Sequence, residues 1–397
     1  MSSDTRQTEK KSNSVRRSRH GCRNCKLRRL KCDETRPHCT KCRLYGVRCN
    51  FAFNVSDLQP LNEEQARRET AGTRSGLLSP QLPVNNGIWY SNGSTCVTLD
   101  SQDQALFNRF RYRTLYSLSG SAMAEIYENH MLTACFAAPF LMHGTLAVAA
   151  AHDRYLGPTP HRRTLRETYH FSQCTTLFNR WLGHSIAEAH KDPLWATAGA
   201  LAILTFSSIN TCFPSEAWPL GTPDSSDLEW LSLGAGKMAL WHLVNPLRQE
   251  SAFRMIYDMP VRMHKCLPTK GTVGVSVELA ELCGLCESST PENSPYFTVV
   301  HHISRLLEIP KGAATEDGIM MVAGHMHGQF ATCLKKKDPV ALLLLCLWYT
   351  RASESKWWIK IRARYELPAI CIYLRRHHGD NSAIQALIPW ADLDGPG

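Results

Sequence analysis

Six cysteines within the first fifty residues constrain this chain more than any other feature. Cys22, Cys25, Cys32, Cys39, Cys42 and Cys49 follow the spacing C-x2-C-x6-C-x6-C-x2-C-x6-C, and the second half repeats the separations of the first. A C-x2-C pair places two sulfurs on one ion, and tetrahedral thiolate ligation selects Zn²⁺. One ion takes four ligands and two take eight, so six thiolates satisfy two ions only if two sulfurs are shared. The internal duplication singles out Cys22 and Cys39, the first cysteine of each half, as the shared pair. A single four-cysteine site with two idle thiols, or a disulfide cluster, leaves the duplication without a reason.

Charge marks the same stretch. Residues 1–50 carry 15 Lys and Arg against 4 Asp and Glu, whereas the other 347 residues carry 30 against 31. A cationic cluster of this kind attracts polyanions whatever their sequence, nucleic acid being the commonest in a nucleus, while charge alone is met equally well by a solvated basic tail. Residues 1–17 hold almost no apolar side chain and are expected to be a disordered basic arm. Lys10-Lys11 and Arg16-Arg17 within it would also suit a nuclear import signal. The chain starts without an apolar signal region, and its apolar runs, Trp195 to Phe206 and Ala341 to Tyr349, are too short to cross a bilayer. A reducing compartment and no membrane partner follow as expectations.

The cysteine segment resembles the Zn2Cys6 binuclear cluster of fungal transcription factors over residues 18–50, with every ligand position filled and Pro37 at the loop between the halves. The resemblance implies two Zn²⁺ on the six cysteines and a short helix, Lys26 to Leu30, directed into the major groove of double-stranded DNA. Arg28 and Arg29 then fall where the family places a basic pair at a CGG-type triplet; lysine is the commoner second residue, so Arg29 departs mildly. Arginine suits guanine because its planar fork donates to O6 and N7 together. Lys26, Lys31, Arg23 and Arg19 are expected to meet DNA as well, Lys31, Arg23 and Arg19 at phosphates, with Lys41, Arg43, Arg16 and Arg17 in the same role. Leu27 and Leu30 are expected to pack inside the cluster.

Residues 51–100 have linker composition, with Pro60, Pro80, Pro83 and an Asn-Asn-Gly signal at 85–87, one short helix near Leu61–Arg68 and no sustained heptad repeat. From residue 101 to 397 the apolar spacing is helical: 104–117, 122–155, 161–189, 192–210, 234–248, 252–258, 276–286, 296–307, 318–334, 338–353, 355–376 and 382–390. The expected fold is mostly α, a small zinc-cluster module joined to a large all-α regulatory domain. The stripe Phe140 to His152, and more loosely Leu228 to Gly234, resemble the helical domain of the sterol-uptake-control group of these regulators. That resemblance implies a unit able to form a homodimer and to take a hydrophobic effector, a sterol or pathway metabolite, in an apolar cavity.

The function expected is zinc-dependent regulation of RNA polymerase II transcription in the nucleus. Two other classes compete: an enzyme tethered to chromatin by the zinc module, and a zinc-dependent protein- or RNA-docking device. For the first, no G-x-S-x-G, no HExxH and no phosphate loop are found, since Gly234-Ala-Gly-Lys-Met-Ala lacks both spacing and hydroxyl. Cys283-Gly-Leu-Cys286 has redox spacing but lies in a helical pattern, and His325 and His327, two apart, should leave a helix on different faces.

Overall fold

The computed structural model describes residues 20–28, 30–36, 38–45, 47, 49–51, 88–91, 95–118, 120–157, 163–209, 211–254, 267–310 and 316–389. The chain divides into two compact units, Met1–Leu78 and Ser79–Gly397. Arg19 and the rest of the basic arm, the helix expected near Leu61–Arg68, Arg29 and Pro37 fall outside the described residues.

In the first unit the described helices are α1 (Arg23–Leu27) and α2 (Thr40–Tyr45). The second opens with an antiparallel pair, β1 (Ile88–Ser91) and β2 (Thr95–Thr98), with Trp89 opposite Val97 and Tyr90 opposite Cys96. This pair lies in the stretch expected to be linker. The signal was present as Asn92-Gly93 between two runs rich in β-branched and aromatic residues, but four residues are too few for period-2 alternation to register.

Everything described after the hairpin is helical or irregular. α3 (Ser101–Arg109) runs through a π-helical turn, Phe110–Thr114, into α4 (Leu115–Leu118). α5 (Ser121–Ile126) does the same through Tyr127–Met131 into α6 (Leu132–Ala134). α7 (Pro139–Leu156), α8 (Leu165–Leu182) and α9 (Glu188–Phe206) are the long helices of the first half. A 3₁₀ turn at Pro214–Glu216 leads to α10 (Glu229–Val244). α11 (Val277–Leu282), α12 (Phe297–Glu308), α13 (Glu316–His325), α14 (Gly328–Lys335), α15 (Pro339–Ala352), α16 (Trp357–His377) and α17 (Ser382–Leu387) complete the unit.

Two helices expected as continuous are broken. The run 122–155 is interrupted before Pro139, whose ring fixes φ for a helix start and forces Ala138 out of the helical region, to φ −128° and ψ 87°. The run 318–334 is interrupted at Gly328, whose φ of +59° lies in the left-handed region. α3 begins earlier than expected because Asp100 caps it: its carboxylate accepts from Asp103 N at 2.8 Å, and Asp103 returns the contact to Asp100 N at 3.4 Å.

The core runs along α7, α9, α15 and α16. Ala341 to Cys346 are completely buried on every face of α15, which is why that segment shows no polar stripe. α7 is buried from Pro139 to His152, so the apolar stripe Phe140 to His152 is core. Gly144 lets α7 approach its neighbours: a Cβ there would lie 3.2 Å from Cys174 Sγ on α8 and 3.4 Å from Ala200 Cβ on α9.

Charged side chains fix the helices where burial alone would let them slide. Arg154 on α7 and Glu167 on α8, both buried, form a two-pronged pair at 2.8 and 3.0 Å. His143 Nδ1 lies 2.9 Å from His170 Nδ1, and His170 Nε2 lies 3.0 Å from Asp103 Oδ1, linking α7, α8 and the start of α3. Among the described residues no helix is long and apolar enough to cross a membrane.

Candidate metal centre and nucleic-acid interface

The two halves of the cysteine repeat fold alike. Cys22 caps α1, its Sγ accepting from Cys25 N at 3.4 Å; Cys39 stands before α2 and its Sγ accepts from Cys42 N at 3.3 Å. Each half then closes with a longer backbone bond, Leu30 N to Cys25 O at 2.9 Å and Val47 N to Cys42 O at 3.1 Å. The first sulfur of each half thus sits at a helix N-terminus, where the peptide dipoles favour a negative charge.

All six cysteines are buried, and their sulfurs form two sets of four. Cys22, Cys25, Cys32 and Cys39 make one; Cys22, Cys39, Cys42 and Cys49 make the other. Cys22 and Cys39 belong to both. Sulfur separations are 3.7 Å for Cys22–Cys39, 3.5 Å for Cys22–Cys42, 3.6 Å for Cys25–Cys39 and 4.0 Å for Cys22–Cys32. A Zn–S bond of about 2.3 Å gives a tetrahedral edge of about 3.8 Å, so the donor set fits two zinc ions in both number and spacing.

Without a cation most of these buried sulfurs are held as neutral thiols. Burial pushes the Cys25 thiol up to about 12 and raises Cys39, Cys42 and Cys49 as well. Cys22 alone goes down, to about 7: burial opposes the shift, but the Cys25 N–H and the neighbouring thiols outweigh it. Metal must therefore displace protons from the sulfurs, and the interior around them, Tyr45, Val47 and Phe51, is too small to fold the segment unaided.

The polar frame reinforces the loops. Asn50 Oδ1 accepts from Asn24 N at 2.7 Å, tying the end of the module to α1. Asp33 Oδ2 accepts from Thr40 N at 3.0 Å and Thr35 Oγ1 at 2.7 Å, and although burial opposes it these bonds hold the carboxyl near 2.

Arg23, Lys26, Lys31 and Lys41 lie exposed on this frame. Arg28 lies against the second helix: its guanidinium is 3.4 Å over the Tyr45 ring, and Nη1 donates to Lys41 O at 3.3 Å. It thereby clamps α1 to α2, a contact that spacing alone did not disclose. Leu27 and Leu30 correct a further expectation, since they are 57% and 44% exposed rather than packed inside. α1 spans five residues and turns one face inward, and the sulfurs occupy that face.

Elsewhere, α13 ends at His325, so the two-apart argument does not apply there. The rings of His302 and His325 stack at 4.7 Å, and those of His325 and His327 at 6.3 Å, yet His325 Nδ1 bonds Met321 O at 2.7 Å. Among the described residues, only the two cysteine sets bring three or more metal-ligating groups together. The Cys283 thiol is buried and pushed up to about 12, while exposed Cys286 lies in the turn after α11.

Comparison with known proteins agrees with this geometry. Residues 20–55 match the fungal Zn(2)-Cys(6) binuclear cluster domain. The chain is 25% identical over 235 residues to a Zn(2)-C6 fungal-type transcription factor of Gibberella zeae, covering 49% of this chain and 47% of that protein. It is 28% identical over 148 residues to the Zn(2)-C6 fungal-type transcription factor afumD of Aspergillus fumigatus, covering 36% and 34%. A third relative, the aspercryptin biosynthesis cluster-specific transcription regulator of Emericella nidulans, is 40% identical over 57 residues, or 14% and 9%. The chain thus matches less than half the length of these curated relatives. Matches of 235 and 148 residues exceed the 78 residues of the first unit, so both reach into the helical one. This chain carries a fungal Zn(2)-Cys(6) binuclear cluster domain, which binds two zinc ions, and its similarity to proteins named Zn(2)-C6 transcription factors extends beyond that domain.

Proposed function

We propose that the chain is a nuclear, zinc-dependent regulator of RNA polymerase II transcription that binds duplex DNA at CGG-containing sites. One observation carries the reading: two four-sulfur sets sharing Cys22 and Cys39 hold a small frame on which Arg23, Lys26, Lys31 and Lys41 stand exposed. In it Cys22 and Cys39 bridge the ions, Cys25 and Cys32 complete one, and Cys42 and Cys49 complete the other. Arg29 reads guanine, Arg28 reads it after leaving Tyr45 or braces the module from where it lies, and Arg19, Arg23, Lys26 and Lys31 meet the DNA around them, mainly at phosphates. The names of the relatives, two transcription factors and a transcription regulator, support the same role. The helical unit is the regulatory part, pairing with a second copy and answering to an effector, in keeping with its likeness to the sterol-uptake-control group.

Gel shifts test the DNA reading. The zinc-loaded chain should retard a CGG duplex in preference to a scrambled duplex and to single-stranded competitor. Affinity should fall by orders of magnitude between about 50 and 200 mM salt if several phosphates are neutralised. Equal retention of single strands would transfer the module to the RNA- or protein-docking class.

A further inference from the structure

The helical unit contains a cavity of about 480 Å³, within the range of small-molecule sites, and its walls are polar. Its floor is made where Arg362 on α16 caps the end of α9. The Arg362 guanidinium donates to Phe206 O and Ser208 O at 2.7 Å each and to Glu366 at 2.5 Å, and Glu366 takes Tyr349 Oη at 2.6 Å. That pair is satisfied. One side wall is the 3₁₀ turn and the loop after it, held against α16 by Ala217 packing on Tyr365 and Ala369. Gly221 keeps this loop tight, because a Cβ there would run into the Glu216 carbonyl.

What remains is unbalanced. Glu216, Asp224, Asp227 and Glu229 line the cavity, and none pairs with a basic side chain among the described residues. On another wall stands Arg163, 5.0 Å over the Phe171 ring. Among the described residues its carboxylate partner is Glu167, 3.9 Å away and already gripped through both oxygens by Arg154. An apolar molecule seated here would strip water from carboxylates without replacing its hydrogen bonds, which disfavours it. A molecule with an ammonium or guanidinium end for the carboxylates and an anionic end for Arg163 meets no such penalty.

We infer that this cavity is a binding site for a small zwitterionic molecule of the amino-acid class, with a cationic side group, rather than for an apolar effector. The inference deepens the regulatory reading of the helical unit, and because binding is measured without DNA it can fail or succeed independently of the DNA reading. L-arginine and L-lysine, with agmatine and cadaverine as their counterparts lacking the carboxylate, are the probes, and ergosterol is the apolar comparison. Titration calorimetry on the zinc-loaded full chain should give an L-arginine or L-lysine Kd below about 1 mM, tighter than for the matching amine. The double variant D227N/E229Q should weaken both amino acids at least ~10-fold, as expected for lost charge-assisted bonds. Because those carboxylates lie at the surface, its helical circular dichroism should be unchanged. R163Q is the second arm: it should erase the preference for amino acid over amine while leaving amine binding intact. The proposal is overturned if none of the four probes binds, if ergosterol binds and the double variant takes it up equally well, or if R163Q leaves the preference unchanged.

Discussion

Arg28 shows how a residue's type and its placement can point in different directions. Its position matches a base-reading arginine, and in the folded module its guanidinium lies over the Tyr45 ring and bonds the Lys41 carbonyl. A cation over an aromatic ring contributes about 0.5–2 kcal/mol. Tyr45→Ala should therefore loosen the module and weaken its zinc retention against a chelator, while leaving the six ligands intact. Competition with a chromogenic chelator reads this directly, and unchanged retention would remove the clamp. The same assay separates the sulfurs. Cys39→Ser removes a ligand from both four-sulfur sets, whereas Cys32→Ser removes one from a single set. Zinc content should fall further below two per chain in the first variant than in the second, and equal loss would count against sharing.

Cys286 makes a separate residue-scale prediction. Hydrogen bonds from Ser288 and Ser289 hold this exposed thiol at about 7, whereas burial raises its motif partner Cys283 to about 12. A thiolate is the reactive form, so alkylation of Cys286 should rise through pH 7 and level off above it, ahead of the other described cysteines of the helical unit. Mass-spectrometric mapping of iodoacetamide adducts against pH checks the order.

Among the elements, α7 and α8 are joined by groups whose burial makes them unforgiving. Arg154 and Glu167 lie inside the unit and form a buried ion pair, so Glu167→Ala leaves a buried guanidinium without its carboxylate. A loss of about 3–5 kcal/mol is expected in urea melts. Removing both charges with apolar residues of similar volume should cost less, because no orphan charge remains. Where the crossing is tightest, Gly144→Val would press on Cys174 and Ala200, and overpacking of this kind costs about 1–3 kcal/mol.

The histidines linking these helices give stability a pH dependence. Burial, with the neighbouring His170, depresses His143 to about 3, and burial lowers His170 despite Asp103. The folded state therefore leaves His143 unprotonated where the unfolded chain, with an ordinary imidazole near 6.5, takes up a proton. Stability contributed by the neutral ring is fully present above about 6.5 and is lost as pH falls toward 3, by about 1.4 kcal/mol per pH unit for each such ring. Urea melts from pH 7.5 to 4.5 should show this slope, and His143→Gln should flatten it.

For the molecule as a whole, the two units owe their folds to different forces. The helical unit buries a large apolar core, whereas the zinc module's interior is mostly sulfur. Chelation with EDTA should therefore abolish the structure of the first unit and spare the far-ultraviolet signal of the second. Metal binding to segments of this size supplies about 10–16 kcal/mol, which is the folding free energy of the module. Acid should also unfold the first unit, because protons compete with zinc for the thiolates, but without the selectivity of a chelator, since the buried histidines weaken the helical unit as pH falls.

The sequence by itself determined the metal chemistry and the class of fold. Cysteine spacing dictates how many ions six thiolates satisfy, and helical periodicity over 300 residues leaves few alternatives to an all-α unit. Both are local properties, written in separations of two to seven residues. Periodicity alone carried two helices past their breaks, and the local signals that override it are Pro139 and Gly328, each of which opens a new helix. Tertiary structure decided what depends on partners distant in sequence. It turned Arg28 onto Tyr45, left Leu27 and Leu30 in solvent, joined Asp103 to His170 across 67 positions and gathered a polar cavity from five separate segments. No spacing rule encodes those meetings, because they arise when packing brings remote side chains within hydrogen-bonding distance.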